Sequence, residues 1–150
     1  MRPFVRTFLV PACVVAIGAA AIIWNVESKR TAERRSAEEL RQYQSGANRG
    51  DANAEFELSD MYFRGRGVPQ DDAQAAFWSQ KAADQGFAKA EYAIGYLNYY
   101  GRGFDQSYAN ALVWYRKAAD QDFSAAQYAI AGMYYHGFGV PQSYTDTLAW

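Results

Sequence analysis

A glycine-rich stretch at residues 65–72, with the sequence GRGVPQDD, is the first candidate for chemistry in the chain. Glycines let backbone N–H groups approach an anion, and a following helix adds its positive N-terminal end, so such a stretch could bind a phosphate. It lacks the later glycine of a dinucleotide fingerprint and the Gly-Lys-Ser/Thr of a P-loop. A structural turn is the competing interpretation, and the rest of the chain decides between them.

The sequence repeats itself with a period of 36 residues, and the glycine pair recurs with it. A loop that returns three times, whatever the rest of the unit does, is typical of a structural turn rather than of three phosphate sites. Tryptophans recur on the same register, and we expect them to lie in the core. The residues to which we assign structural roles are Gly65, Gly67, Gly101, Gly103, Gly137, Gly139, Trp78, Trp114 and Trp150.

Two other groups could act in acid–base catalysis, and the register argues against both. His136, the only histidine, aligns with Arg64 and Tyr100, which is typical of a surface position before a turn. The carboxylates of Asp71 and Asp72 align with serine and tyrosine in the later units, so helix capping explains them. No nucleophile lies at a matching spacing from a base. We therefore expect no enzyme activity, no cofactor and no metal site.

The charged residues are distributed unevenly along the chain. Residues 1–50 carry a net charge of +4, whereas residues 51–150 carry seven basic and twelve acidic side chains, a net charge of −5. An acidic globular part repels phosphodiester backbones, so we expect no nucleic-acid partner. The single cysteine, Cys13, excludes an intrachain disulfide.

An uncharged run of twenty residues, 7–26, has the length that crosses a bilayer core of about 30 Å. Arg2 and Arg6 precede the run, and Trp24 lies near its far end, where an indole suits the headgroup boundary. We predict a single-pass, uncleaved membrane anchor over residues 1–26. A cleaved secretory signal stays open, because the small residues 18–21 suit a signal peptidase.

The membrane side of the remaining chain stays undecided between periplasm and cytoplasm. A short basic N-terminus before an apolar run is typical of an export signal. The positive-inside rule instead favours a cytoplasmic location, because five basic residues follow the run: Lys29, Arg30, Arg34, Arg35 and Arg41.

Each repeating unit predicts two helices joined by the glycine turn. Apolar residues of the first helix follow the spacing i, i+4, i+7, as in Ala54, Leu58 and Met61. The second helix begins after a capping side chain, which is Asp71, Ser107 or Ser143.

The predicted units are residues 51–86, 87–122 and 123–150, the last of which is eight residues short of a period. Whether the chain is a fragment of a longer array or ends in a frayed helix stays open. Residues 27–50 are predicted to form a charged helical linker. Within it, residues 32–47 are expected to cap the array, because they align with the second helix of a unit.

The segment AEYAIGYLNYYGRG…YANALVWYRKAADQ combines Gly-x-Gly, a tryptophan and the motif KAADQ. This combination resembles the Sel-one-like repeat (SLR) family, over residues 51–150. The resemblance implies an all-α fold, a right-handed solenoid of antiparallel helix pairs related to tetratricopeptide repeats. It also implies a scaffold for protein–protein contacts, of a kind frequent in exported or membrane-attached bacterial proteins. The cysteine-rich branch of the family, for which β-lactam binding or hydrolysis has been suggested, pins its helix pairs with disulfides. The repeats here contain no cysteine, so that activity is not carried over.

Positions that differ between the units are candidates for function rather than packing. In tetratricopeptide folds the first helix lines the concave surface, so the resemblance implies a partner-binding face there. The tyrosines offer rigid, amphipathic contact area, and packing between repeats is their alternative role. The candidate face consists of Asp60, Arg64, Tyr96, Tyr99, Tyr100 and His136.

These observations predict a membrane-anchored repeat scaffold that binds a protein or peptide on its concave face without catalysis. The alternative is an exported cell-envelope enzyme or small-ligand binder, related to peptidoglycan or β-lactams. An enzyme would depend on one nucleophile or metal, whereas a scaffold would lose affinity in steps as several tyrosines are removed.

Overall fold

The computed structural model describes residues 10–150, with side-chain surroundings from residue 21 onwards. All regular structure in this range is α-helical, which confirms the expected all-α class. The helices are α1 (Val10–Asn48), α2 (Ala52–Arg64), α3 (Asp72–Asp84), α4 (Ala88–Tyr100), α5 (Tyr108–Ala119), α6 (Ser124–His136) and α7 (Tyr144–Ala149). The first helix of each pair begins 36 residues after the previous one, as the sequence repeat predicts.

The chain divides into two compact units, residues 1–37 and residues 38–150, and the boundary between them lies within α1. The second unit holds the end of α1 and all three helix pairs. The predicted membrane anchor, residues 7–26, lies largely outside the residues whose side chains are described. Among those that are described, no helix is both long enough and apolar enough to cross a bilayer.

In each pair, local capping sets the end of the first helix and the start of the second. The first helices end at glycines in the left-handed conformation, with φ of 68° at Gly65, 67° at Gly101 and 72° at Gly137. The second helices begin where a side chain accepts a hydrogen bond from the first turn. Asp71 accepts from two backbone N–H groups at 3.0 Å, and Ser107 accepts from one at 3.2 Å. The structure confirms the glycine stretch as a turn.

Contacts along each pair show that its two helices are antiparallel. Next to the turn, the N–H of Asp71 donates to the carbonyl of Tyr62 at 3.0 Å. At the open end, Nε2 of Gln85 donates to Oε2 of the buried Glu55 at 2.7 Å. The second pair repeats this last bond between Gln121 and Glu91, also at 2.7 Å. The glutamine of the KAADQ motif therefore ties the open end of the first two pairs to a buried carboxylate.

Alanines, rather than tryptophans, form the buried stripe of the second helices. Ala75, Ala82, Ala111 and Ala118 are fully buried, whereas Trp78 and Trp114 are only half-buried. The prediction of core tryptophans is therefore too strong for these two. Their indole rings lie at the edge of the stripe, where the ammonium groups of Lys81 and Lys117 cover them at 4.8 and 3.8 Å.

The prediction is wrong for Trp150, which is 41% exposed. Trp150 follows the last residue of α7, a helix that has no buried residues.

The predicted capping segment, residues 32–47, falls inside α1. Within the second unit, Ala47 is buried, and Leu40 and Tyr43 are half-buried. Gly46 approaches α2 so closely that a Cβ there would lie 2.6 Å from the Cβ of Ala54. The end of α1 therefore packs on the first repeat as the second helix of a unit would.

The second glycine of each later loop joins one repeat to the one before it. Gly103 has a φ of 70°, and a Cβ built on it would overlap the carbonyl oxygen of Asp72 at the start of α3. Gly139 lies in the same way against Tyr108 at the start of α5, where a Cβ would come within 2.8 Å of the tyrosine Cβ. Only glycine permits this approach of a loop to the previous repeat.

Side chains beside this contact differ between the two repeat junctions. At the first junction, Arg102 pairs with both carboxylate oxygens of Asp72, at 2.9 and 2.6 Å, and lies 4.0 Å from the ring centroid of Phe63. The hydrogen bond to Asp72 is the main cause that raises the pKa of Arg102. At the second junction, Phe138 replaces the arginine and stacks on Tyr108 at 5.0 Å. An ion pair supports the first junction, and an aromatic pair takes its position at the second.

Replacing Gly103 by alanine tests whether the loop contact holds the repeats together. We expect Gly103→Ala to lower the free energy of unfolding by about 3 kcal/mol, because the new methyl group adds a backbone clash to a strained φ. Gly86→Ala is the matched control, since Gly86 has a φ of 77° and no residue beyond its chain neighbours lies within 4 Å of its Cβ position. It should lose only about 1 kcal/mol. Equal losses in urea unfolding would contradict the account.

Candidate functional site

A groove of about 410 Å³ opens between α2 and α4, the first helices of repeats 1 and 2. Its walls are mostly apolar and come from both helices, together with the residue that precedes α6. They comprise Phe56, Phe63, Tyr92, Ala93, Tyr96, Leu97 and Phe123. The groove has the concave, aromatic lining of a ligand-binding site, with a few polar groups at defined places.

Two buried serines form the floor of the groove. Oγ of Ser59 donates to the carbonyl of Ala75 at 2.7 Å and lies 2.6 Å from Oγ of Ser79. Ser59 has one hydroxyl proton, and it donates that proton to the Ala75 carbonyl. Ser79 is therefore the donor in the hydrogen bond between the two serines. Both serines are buried, so their hydroxyl groups satisfy each other and the Ala75 carbonyl beneath the groove.

Charged side chains line one rim of the groove. Nε of Arg64 donates to Oδ1 of Asp60 at 2.6 Å, and this hydrogen bond, followed by the aspartate charge, raises the pKa of Arg64. Lys89 adds a second cation to the lining. An incoming polar group therefore meets donors and an acceptor at the rim.

The structure brings only part of the predicted face together. Asp60, Arg64 and Tyr96 line the groove. Tyr100 extends it, since its ring lies 4.5 Å from that of Tyr96 and it is 56% exposed.

The other two predicted residues lie in an aromatic cluster around Phe138, which touches the groove extension because the ring of Tyr99 lies 4.8 Å from that of Tyr100. Tyr99 packs on Tyr108 at 5.0 Å and on Phe138 at 5.9 Å, and burial raises its pKa. His136 stacks on Phe138 at 5.4 Å. Packing between repeats accounts for Tyr99, which was its alternative role.

Sequence reasoning missed the walls and the floor of the groove. Phe56, Phe63 and Tyr92 are not among the residues of the predicted face. The signal for the floor was a single break in the register, at which Ser79 stands between Tyr43 and Tyr115.

Repeat 2 shows what occupies the equivalent space when the tyrosine is present. Tyr115 is 3% exposed, and its ring packs on Tyr92 at 5.4 Å. The ring also lies against Gly95, the counterpart of Ser59, where a Cβ would come within 2.5 Å of it. Repeat 2 therefore holds a glycine and a packed tyrosine at the two positions where repeat 1 holds the serines that line the groove.

This arrangement suits the binding of an aromatic or aliphatic side chain. The walls offer apolar contact, and the polar groups are few and fixed by hydrogen bonds. In the part of the chain that the structure describes, no group of three or more His, Cys, Asp or Glu residues is placed to hold a metal ion.

Comparisons with known proteins cover the same region of the chain. A family model described as Sel1 repeat matches residues 52–87, 88–123 and 124–150, one residue later than the predicted units. A Sel1 repeat protein from Oxalobacter formigenes is 35% identical, with a TM-score of 0.68, over 73% of this chain and 45% of its own. The protective antigen c5321 of uropathogenic Escherichia coli, which displays an SLR fold, is 28% identical with a TM-score of 0.69.

That antigen alignment covers 84% of this chain and 31% of the antigen. Cysteine rich protein B of Helicobacter pylori shares the fold, at 23% identity and a TM-score of 0.56, over 58% of this chain and 65% of its own. The chain therefore spans less than two thirds of each of these proteins. No curated protein matches it.

A double-mutant cycle tests whether Gly95 and Tyr115 share one volume. Gly95→Ala should destabilise the protein by about 1–3 kcal/mol, because its methyl group overlaps the tyrosine ring. In a Tyr115→Ser background, the same change should be neutral or stabilising, since alanine favours a helix by about 1 kcal/mol over glycine. Urea unfolding measures both. Equal effects in the two backgrounds would show that the ring does not contact Gly95.

Proposed function

The chain belongs to the Sel1 repeat family, and on that premise we propose that it binds a peptide segment of another protein in the groove between α2 and α4. Sel1 repeats are protein–protein interaction scaffolds. The proposal adds two points. The partner binds on the face formed by the first helices, and the chain catalyses no reaction.

The observation that carries the proposal is that aromatic side chains from two repeats converge on one open groove. Phe56 and Phe63 come from repeat 1, and Tyr92 and Tyr96 come from repeat 2. Rigid aromatic side chains dominate the binding energy of protein interfaces, because they bury a large area at a small entropic cost. The 56% exposed Tyr100 extends this surface beyond the groove.

Charge distribution supports a peptide rather than an anionic polymer as the partner. Residues 51–150 carry a net charge of −5. The cation Arg64 at the rim is already paired with Asp60 at 2.6 Å. A segment that inserts apolar or aromatic side chains matches this surface better than one that relies on phosphate groups.

The proposal includes attachment to a membrane through residues 7–26. It is supported by the sequence, in which this uncharged run follows Arg2 and Arg6. Alkaline carbonate extraction of cells that express the full chain should leave it in the membrane pellet. Release into the supernatant would contradict the attachment.

Peptide selection tests the proposed binding face. Peptides selected from a random display library on the full chain should lose at least about tenfold in affinity when Tyr96 and Tyr100 are both changed to alanine. Removal of two adjacent aromatic anchors is the physical reason for this loss. Titration calorimetry of the selected peptides measures it.

The matched control is the pair Phe77→Ala and Val113→Ala on the second helices. These side chains are 52% and 54% exposed, similar to Tyr100, but belong to α3 and α5. Affinity should stay within about twofold in this control. A loss in the control, or none in the tyrosine variant, would refute the proposed face.

A further inference from the structure

We propose that the groove between α2 and α4 receives a tyrosine side chain of the partner peptide, in the space that Tyr115 fills one repeat later. This inference rests on the proposed function and names the residue that anchors the partner. Three observations support it: the register, the shape of the walls and the polar groups at the rim.

The register shows that a tyrosine is missing from repeat 1. Positions 43, 79 and 115 are equivalent at the 36-residue period and hold tyrosine, serine and tyrosine. At position 79 the serine is fully buried and forms the floor of the groove. The groove is therefore present where the chain lacks its own ring.

The walls around Ser79 match those that hold Tyr115. The ring of Tyr115 packs on Tyr92 in repeat 2, and the equivalent of Tyr92 in repeat 1 is Phe56, which lines the groove. Phe56 is itself held by Phe87, at 5.6 Å between ring centroids. An aromatic ring entering over Ser79 therefore meets an aromatic wall that is already in place, and preorganised walls reduce the entropic cost of binding.

Polar groups at the rim distinguish tyrosine from phenylalanine. The ring of Tyr115 packs on Tyr92 and lies against Gly95, so its phenol lies among side chains of α4, and burial raises its pKa. One repeat earlier, the positions of Tyr96 and Tyr100 hold Asp60 and Arg64. A phenol in the groove would thus place its hydroxyl near a carboxylate that accepts and a guanidinium that donates.

Small aromatic probes test the inference on the full-length chain. The probes are p-cresol, which is the side chain of tyrosine, and toluene, which is the side chain of phenylalanine. We expect p-cresol to bind at least tenfold more tightly than toluene, because a site that hydrogen-bonds a hydroxyl discriminates against its absence. Binding is followed through the backbone amide NMR signals of Ser79 and Tyr92.

The chain itself supplies the variant that should block the site. Ser59→Gly with Ser79→Tyr copies the Gly95 and Tyr115 pair into repeat 1 and fills the groove. This double variant should keep or raise the melting temperature and lose p-cresol binding. Retained p-cresol binding in the folded variant would overturn the inference.

A second variant keeps the test informative if the filled variant does not fold. Asp60→Ala with Arg64→Ala changes an exposed pair and should reduce the preference for p-cresol over toluene to about twofold or less. Equal binding of the two probes to the unmodified chain would mean that the groove recognises apolar groups in general, and the tyrosine inference would be rejected.

The selected peptides separate this inference from the proposed function. Peptides that lose affinity with Tyr96→Ala and Tyr100→Ala, but bind the filled variant normally, would leave the scaffold function standing and refute the tyrosine anchor. If p-cresol binds but the library yields no peptide that depends on Tyr96 and Tyr100, the peptide partner is refuted. If all selected peptides lack tyrosine, the tyrosine anchor is refuted. Peptides that contain a tyrosine and fail to bind the filled variant would support both.

Discussion

The repeats are held together by a contact that admits no side chain, the packing of a loop glycine on the start of the previous second helix. Gly103 lies against Asp72, and Gly139 lies against Tyr108. Because backbone atoms make this contact, it fixes the spacing of the repeats while the side chains around it vary. Arg102 with Asp72 at one junction and Phe138 with Tyr108 at the next are two solutions to the same geometry.

Because the glycine contacts fix the distance between repeats, a few side chains decide whether the space between neighbouring first helices is filled or open. In repeat 2, Gly95 leaves room for the ring of Tyr115, and the interior is filled. In repeat 1, Ser59 and Ser79 bond to each other at 2.6 Å and leave a groove of about 410 Å³ above them. The same fold thus has a packed interior in one repeat and an open groove beside the other, where these two residues differ.

Local features of the fold were predictable, whereas the packing of side chains between helices was not. Turn glycines and the caps Asp71 and Ser107 follow from backbone conformation and hydrogen bonding within a few residues, so the sequence predicts the helix pairs. Trp78 and Trp114 lie beside a stripe of buried alanines, which occupy the centre of the second helices' packed face. The 36-residue period alone does not show which of these residues are buried. The serine at position 79 was visible as a break in the register. Its meaning required knowledge of which side chains face it.

The central claim is that the groove is the space of a missing tyrosine ring. A crystal structure of the full chain soaked with p-cresol tests it most directly. The account predicts a ring in the groove that packs on Phe56, and that superimposes on the ring of Tyr115 when repeat 1 is overlaid on repeat 2. A groove that stays empty, or a probe bound elsewhere on the chain, would contradict it.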